Sequence, residues 1–212
     1  TIGKNLAAEI PNENITPESF MQPTQHRFSL KAPTVSTVCK LLENINVRKA
    51  TGLDGVPNKL LKLAAHIVAP SLTEIFAQSI KTGIFPTEWK IARVTPIFKK
   101  GKKNDLNNYR PISVIPTVAK IFEKIVYDQL FSYFNDKNLL ASCQSGFRTF
   151  HSTLTALTEA TNSWAVNIDN GLLNGVVFLD LKKAFDTIDH SIILRKLKFY
   201  GIEQETLKWF QS

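Results

Sequence analysis

Directly after Pro33 and the hydroxyl of Thr34, apolar residues fall at Val35, Val38, Leu41, Leu42 and Ile45. That three-and-four spacing predicts a helix capped by Thr34 and ending near Val47. Beyond the Gly52–Pro57 turn, Leu60, Leu61, Ala64, Ile67 and Val68 predict a second helix, which Pro70 should interrupt. Leu72, Ile75, Phe76 and Ile80 then predict a third, running to Gly83. Ile91–Phe98 and Tyr109–Ile115 read as short strands of a hairpin whose tip is Lys99–Asn108. Thr117 opens the most regular helix, with Val118, Ile121, Phe122, Ile125, Val126, Leu130 and Phe134 along one side. After a loop at Gln144–Thr149, Ser152 should cap a helix that turns Leu154, Leu157 and Trp164 inward. Gly175 to Leu181 is short, apolar and β-branched, as a strand covered on both faces would be. His190–Tyr200, stopped by Gly201, and Glu203–Phe210 complete the list as helices.

Helices, a hairpin, more helices and one central strand make an α+β chain. Residues 1–33, with Pro11, Pro17, Pro23 and Pro33 and no sustained period, should form an extended lead-in or linker. Composition narrows the function more than the fold. The 212 residues carry Lys+Arg 26 against Asp+Glu 18, a formal charge of +8 that favours a polyanionic partner. No apolar run approaches a membrane span and no signal-peptide core opens the chain. Cys39 and Cys143 lack the spacing of a disulfide framework or a zinc motif, which fits a reducing compartment. Beginning at Thr1, the chain is expected to be a piece of something longer.

Two features point to chemistry. Asp180 ends an apolar run, and a carboxylate there needs the strand's exposed end, a metal ion or a basic partner; strand-terminal Asp also serves as a helix N-cap. Asp186 and Asp189 lie close by, Asp189 best placed to cap the following helix. In the second feature, Lys81, Lys90, Arg93, Lys99, Lys100, Lys102, Lys103 and Arg110 face only Glu88 and Asp105 between residues 81 and 110. Such a cluster suits phosphate neutralisation, though a merely solvated loop is also Lys-rich. The glycines are too sparse for a P-loop, and His26, His66, His151 and His190 show no ligand spacing. Trp89, Trp164 and Trp209 are read as packing residues.

Five segments then align in order with the reverse transcriptases of non-LTR (LINE-type) retrotransposons, which the chain resembles from about residue 34 onward. They are Lys49-Ala50-Thr51-Gly52-Leu53-Asp54-Gly55-Val56-Pro57; Trp89-Lys90 through Thr95-Pro96-Ile97-Phe98-Lys99-Lys100-Gly101; Asn108-Tyr109-Arg110-Pro111-Ile112-Ser113; Gln144-Ser145-Gly146-Phe147-Arg148; and Phe178-Leu179-Asp180-Leu181-Lys182-Lys183-Ala184-Phe185-Asp186.

The resemblance implies a right-hand polymerase: fingers-like helices and basic hairpin over 34–174, and the start of the palm, its sheet incomplete, over 175–212. It implies that Asp180 is the first catalytic aspartate, shared by two Mg²⁺ ions, with the Leu181 carbonyl a further ligand. Arg110 matches the arginine that grips the incoming triphosphate, with Lys99 or Lys100 as its companion. Phe185 matches the aromatic gate against a 2′-hydroxyl, and Gln144 and Arg148 are weaker candidates for nucleic-acid contact. The implied partners are an RNA template, a DNA primer and a deoxynucleoside triphosphate, with action in the nucleus or cytoplasm. The sequence departs from the family in having no adjacent Asp-Asp pair, which is the family's second metal-binding motif. The 212 residues alone are therefore expected to be inactive. The alternatives are a non-catalytic nucleic-acid-binding remnant and a relic that does not fold stably.

Overall fold

The computed structural model describes residues 17–181 and 187–212. Among these, helix α1 (Val35–Glu43) begins where Thr34 Oγ1 accepts from the Thr37 N–H at 3.2 Å. It ends earlier than its apolar spacing suggests, because Asn44 closes it through bonds to the Lys40 carbonyl. Helices α2 (Asn58–Leu63) and α3 (Ala65–Thr82) follow. The break expected at Pro70 falls instead at Ala64, and α3 runs straight through the proline. Beginning at Ala65 places Pro70 in the second turn, where it forfeits only its own bond to the His66 carbonyl.

Strands β1 (Arg93–Phe98) and β2 (Tyr109–Val114) form an antiparallel hairpin, with Arg93 opposite Val114 and Phe98 opposite Tyr109. Because Lys99 N–H donates to the Asn108 carbonyl at 2.8 Å, Pro96 and Pro111 occupy a non-hydrogen-bonded pair. Each proline thus removes an N–H from an outer edge, which hinders further strands from adding there.

Helix α4 (Thr117–Asp136) buries Ile121, Phe122, Ile125, Val126 and Tyr133. Phe134, expected on that side, is only partly covered. Helices α5 (Thr153–Asp169), α6 (His190–Phe199) and α7 (Gln204–Gln211) complete the order. Asp189 caps α6 by accepting from the Ser191 N–H at 2.8 Å.

The described residues fall into two compact units, one holding 17–133 with 193–212 and the other 134–181 with 187–192. The first has the core. Val38 and Leu42 of α1, Phe76 of α3, Phe122 of α4 and Trp209 of α7 meet there, with Phe76 and Phe122 stacked at 4.5 Å between ring centres. The Trp209 indole N–H donates to Ser79 Oγ at 3.0 Å, so its one polar group is satisfied in the interior. Trp89 packs against the same core, in line with the packing role expected of it. Residues 21–33 contain no helix and are held down: Phe28 N–H donates to the Gly201 carbonyl and Leu30 N–H to Thr206 Oγ1, both at 2.9 Å.

Two expectations fail in the second unit. Helix α5 has the Ser152 cap, reinforced by the Ser152 N–H donating in return to Thr155 Oγ1, but buries no residue; Leu154 and Leu157 are exposed rather than inward. Residues 175–181 form no strand, and Val177, Phe178 and Leu179 are all more than 80% exposed. A strand apolar on both faces is stable only between neighbouring strands and covering layers, and the described residues supply neither. No helix among the described residues is long and apolar enough to cross a membrane.

Candidate active site

The basic hairpin has a defined tip. Gly101, at φ 94°, makes a turn that most side chains disfavour, and any β-carbon there would press on the Asn108 amide. Asn108 donates through Nδ2 to the Lys102 carbonyl at 2.9 Å, and the Tyr109 hydroxyl donates to the Lys103 carbonyl at 2.8 Å. Asp105 Oδ1 accepts from the Asn107 N–H at 2.9 Å. Asp105, Asn108 and Tyr109 are thus spent on the tip's own backbone, and Lys99, Lys100, Lys102 and Lys103 remain exposed to solvent.

Register decides which cations belong together. Arg110 lies opposite Ile97, and Lys99 continues the ladder against Asn108, two residues farther along β1. Side chains two apart share a face, so Lys99 and Arg110 project from the same side as diagonal neighbours, with β-carbons roughly 7–8 Å apart. Lys100 follows the last ladder bond and enters the turn.

The base of the hairpin is anchored by the Lys49–Pro57 segment. Gly52 is buried, and a β-carbon on it would lie 2.7 Å from the Pro116 nitrogen, so only glycine allows this approach between β2 and α4. Beside it, Lys49, Lys120 and Lys124 help line a cleft of about 440 Å³ whose polar floor includes Asn58 and Thr117. Sequence reading missed this group because Lys120 and Lys124 look like solvent positions of a core helix and Lys49 belongs to a distant turn. Lys124 is also paired with Asp128 at 2.5 Å.

The other predicted residues that are described belong to the second unit. Asp180 and Leu181 are exposed at the end of the unpaired 175–181 run. Gln144 Nε2 donates to the Gly146 carbonyl at 3.1 Å, and the Arg148 guanidinium to the Ala141 carbonyl at 3.2 Å, so both brace their own loop. Phe185 and Asp186 lie outside the described residues. A pair of divalent ions needs several convergent oxygen donors. Among the described residues the one convergent group of three metal-binding side chains is Cys39, Glu43 and His66, and Asp180 is not part of it. Asp180 with the Leu181 carbonyl does not fit a two-ion site by itself.

The described residues thus give a hairpin that presents Lys99 and Arg110 on one face and, later in the chain, an exposed apolar run that bears Asp180. The family model for reverse transcriptase (RNA-dependent DNA polymerase) matches residues 99–212, and the chain belongs to that family. It is 30% identical over 203 residues to the RNA-directed DNA polymerase from mobile element jockey of Drosophila melanogaster, covering 92% of this chain and 22% of that protein. It is 27% identical over 200 residues to the probable RNA-directed DNA polymerase from transposon BS of the same fly, covering 91% of this chain and 22% of the relative. Over 124 residues it is 30% identical to the Pol polyprotein from the type-1 retrotransposable element R2 of Popillia japonica, 58% of this chain and 17% of that one. These matches support placing the chain with the reverse transcriptases of non-LTR (LINE-type) retrotransposons, and it spans about a fifth of the length of the first two relatives. Enzymes of this family work with divalent metal ions.

Proposed function

We propose that this chain supplies the triphosphate-gripping face and first catalytic carboxylate of an RNA-directed DNA polymerase. Residues 34–174 read as fingers and 175–212 as the beginning of the palm. In the reaction, a DNA primer's 3′-hydroxyl attacks the α-phosphorus of a deoxynucleoside triphosphate opposite an RNA template. Pyrophosphate leaves and the hydroxyl proton passes to solvent or base. The pairing of Lys99 and Arg110 on one hairpin face carries the reading, because a guanidinium fork beside an ammonium matches the paired charges of a triphosphate. Asn108 and Tyr109 support it by fixing the tip without occupying either cation. Lys100, in the turn, is the weaker companion.

Asp180 is read as a ligand of Mg²⁺, two ions per complete site, with Leu181 adding its carbonyl. Phe185 is read as the gate against ribonucleotides, and Gln144 and Arg148 as contacts to nucleic acid. Action in the nucleus or cytoplasm goes with this reading.

The test replaces the matched 203 residues of the jockey polymerase with this chain. Mg²⁺-dependent primer extension on RNA that disappears in Asp180→Asn is the expected result. Residues 1–212 alone, which contain no adjacent Asp-Asp pair, should extend nothing. Activity that survives Asp180→Asn would overturn the assignment.

A second reading, a non-catalytic nucleic-acid-binding domain, is favoured by two separate features: an intact basic hairpin, and an exposed Asp180 that joins no convergent metal-binding group among the described residues. It expects an inert chimera whose RNA affinity falls steeply with salt, through counterion release. Affinity indifferent to salt would remove it.

A further inference from the structure

Away from the hairpin, three side chains of different chemistry converge on one side of the helical core. Cys39 and Glu43 are four residues apart on α1, hence on one face of that helix. His66, the second residue of α3, comes to them from the helix packed alongside. Cys39 Sγ lies 3.3 Å from His66 Nδ1, and Glu43 Oε1 lies 3.0 Å from His66 Nε2. One donor atom from each of the three falls within 4.8 Å of the other two. Sequence spacing offered no hint of this: 27 residues separate Cys39 from His66, and only the packing of α1 on α3 closes the distance.

We propose that Cys39, Glu43 and His66 form a Zn²⁺ site that clips α1 to α3. A thiolate, an imidazole and a carboxylate are the donor types zinc takes, and a thiolate selects it over Mg²⁺ and Ca²⁺. Zinc bonds of about 2.0–2.3 Å at tetrahedral angles put ligand atoms roughly 3.3–3.7 Å apart. The sulfur–nitrogen separation at Nδ1 already has that value, and Glu43, which here pairs with the opposite ring nitrogen, must swing to the sulfur's side of the ring. Cys39 is buried at the base, Glu43 is half covered and the His66 side chain is 83% exposed, so the fourth position opens to water. The frame is rigid where it matters: Val38 and Leu42 flank Cys39, Ala65 and Ala69 flank His66, and all four are fully buried in the core. On binding, Cys39 gives its proton to solvent and coordinates as thiolate, His66 enters neutral through one ring nitrogen, and Glu43 enters ionised. Without the ion, burial and then the Glu43 carboxylate push the Cys39 thiol up, which keeps it protonated and unreactive.

Neither Asp180 nor any hairpin residue takes part, so this site and the polymerase reading stand or fall separately. The test uses the whole 212-residue chain carrying Cys143→Ser, which removes the exposed second thiol. Titration with Co²⁺ should produce a thiolate-to-metal charge-transfer band, and Zn²⁺ should displace the cobalt and raise Tm. Cys39→Ser should abolish the band. His66→Gln, on an exposed side chain that leaves the core intact, should weaken Zn²⁺ binding by at least about tenfold, as should Glu43→Gln. Absence of the band and of any Zn²⁺-dependent Tm shift in the Cys143→Ser protein would overturn the proposal. So would a band and shift that His66→Gln and Glu43→Gln leave unchanged.

Discussion

The Thr117 hydroxyl donates to Asn58 Oδ1 at 2.5 Å, and both residues are buried. Asn58 in turn donates through Nδ2 to the Asn46 carbonyl at 2.9 Å, so one amide joins the 46–58 turn to the first residue of α4. The strand bearing Arg110 leads through Ile115 and Pro116 into this same junction, where Gly52 packs. Asn58→Ala strands a buried hydroxyl and leaves the part-buried Asn46 carbonyl without this donor, and should cost about 1–3 kcal/mol, read from urea midpoints at constant m. Thr117→Val in the Asn58→Ala background should cost less than the same change in wild type, since its partner is already gone.

Two glycines of left-handed conformation separate local strain from crowding. Gly55 has φ 67° and nothing within 4 Å of where a β-carbon would sit, whereas a β-carbon on Gly201, at φ 78°, would run into the His26 carbonyl oxygen. Gly55→Ala should therefore cost only the conformational penalty, about 1–2 kcal/mol. Gly201→Ala adds a backbone collision and should cost at least about 3 kcal/mol, with 24–31 detaching from the 199–206 turn. Differential melting, with hydrogen exchange at Phe28, checks both.

Fluorescence anisotropy with a labelled deoxynucleoside triphosphate tests the shared face of Lys99 and Arg110. Arg110→Ala and Lys99→Ala should each weaken binding about tenfold or more, from the ~1.5–3 kcal/mol of a hydrogen bond between charged groups. Lys100→Ala, in the turn, should stay close to wild type. Equal losses at Lys99 and Lys100 would mean that the two lysines act only as diffuse charge.

Tyr133 is pushed above the ordinary phenol range by burial, partly opposed by Arg27, and its hydroxyl donates to the Tyr200 carbonyl at 2.7 Å. Since folding raises this pKa, the neutral phenol's stabilisation is complete below the unfolded value of about 10 and is lost as pH climbs from there through the higher folded value. Tyr133→Phe should cost about 1 kcal/mol at pH 7. The gap between the two proteins should narrow as pH rises past about 10, measured by denaturant titration at pH 7 and pH 11.

Local chemistry made most of the helices and the hairpin legible in advance. Thr34, Ser152 and Asp189 cap where their hydroxyls and carboxylate can meet backbone N–H groups, and the apolar spacing of α1 and α4 named their buried faces. The candidate cations could be named as well, because charge clustered on a turn is visible without a fold. Other matters depended on distant residues. Strand pairing put Lys99, rather than Lys100, on the face of Arg110, since alternation acquires meaning only once the register is set. Residues 175–181 have the composition of a covered strand yet lie exposed, because a strand's stability resides in its neighbours. The sequence determined which side chains this protein carries and which short segments turn, cap or coil, since those choices rest on bonds between residues a few positions apart. Only the tertiary structure decided that Cys39 meets His66 and that Gly52 meets Pro116, because such contacts depend on how whole helices pack to bury their apolar faces.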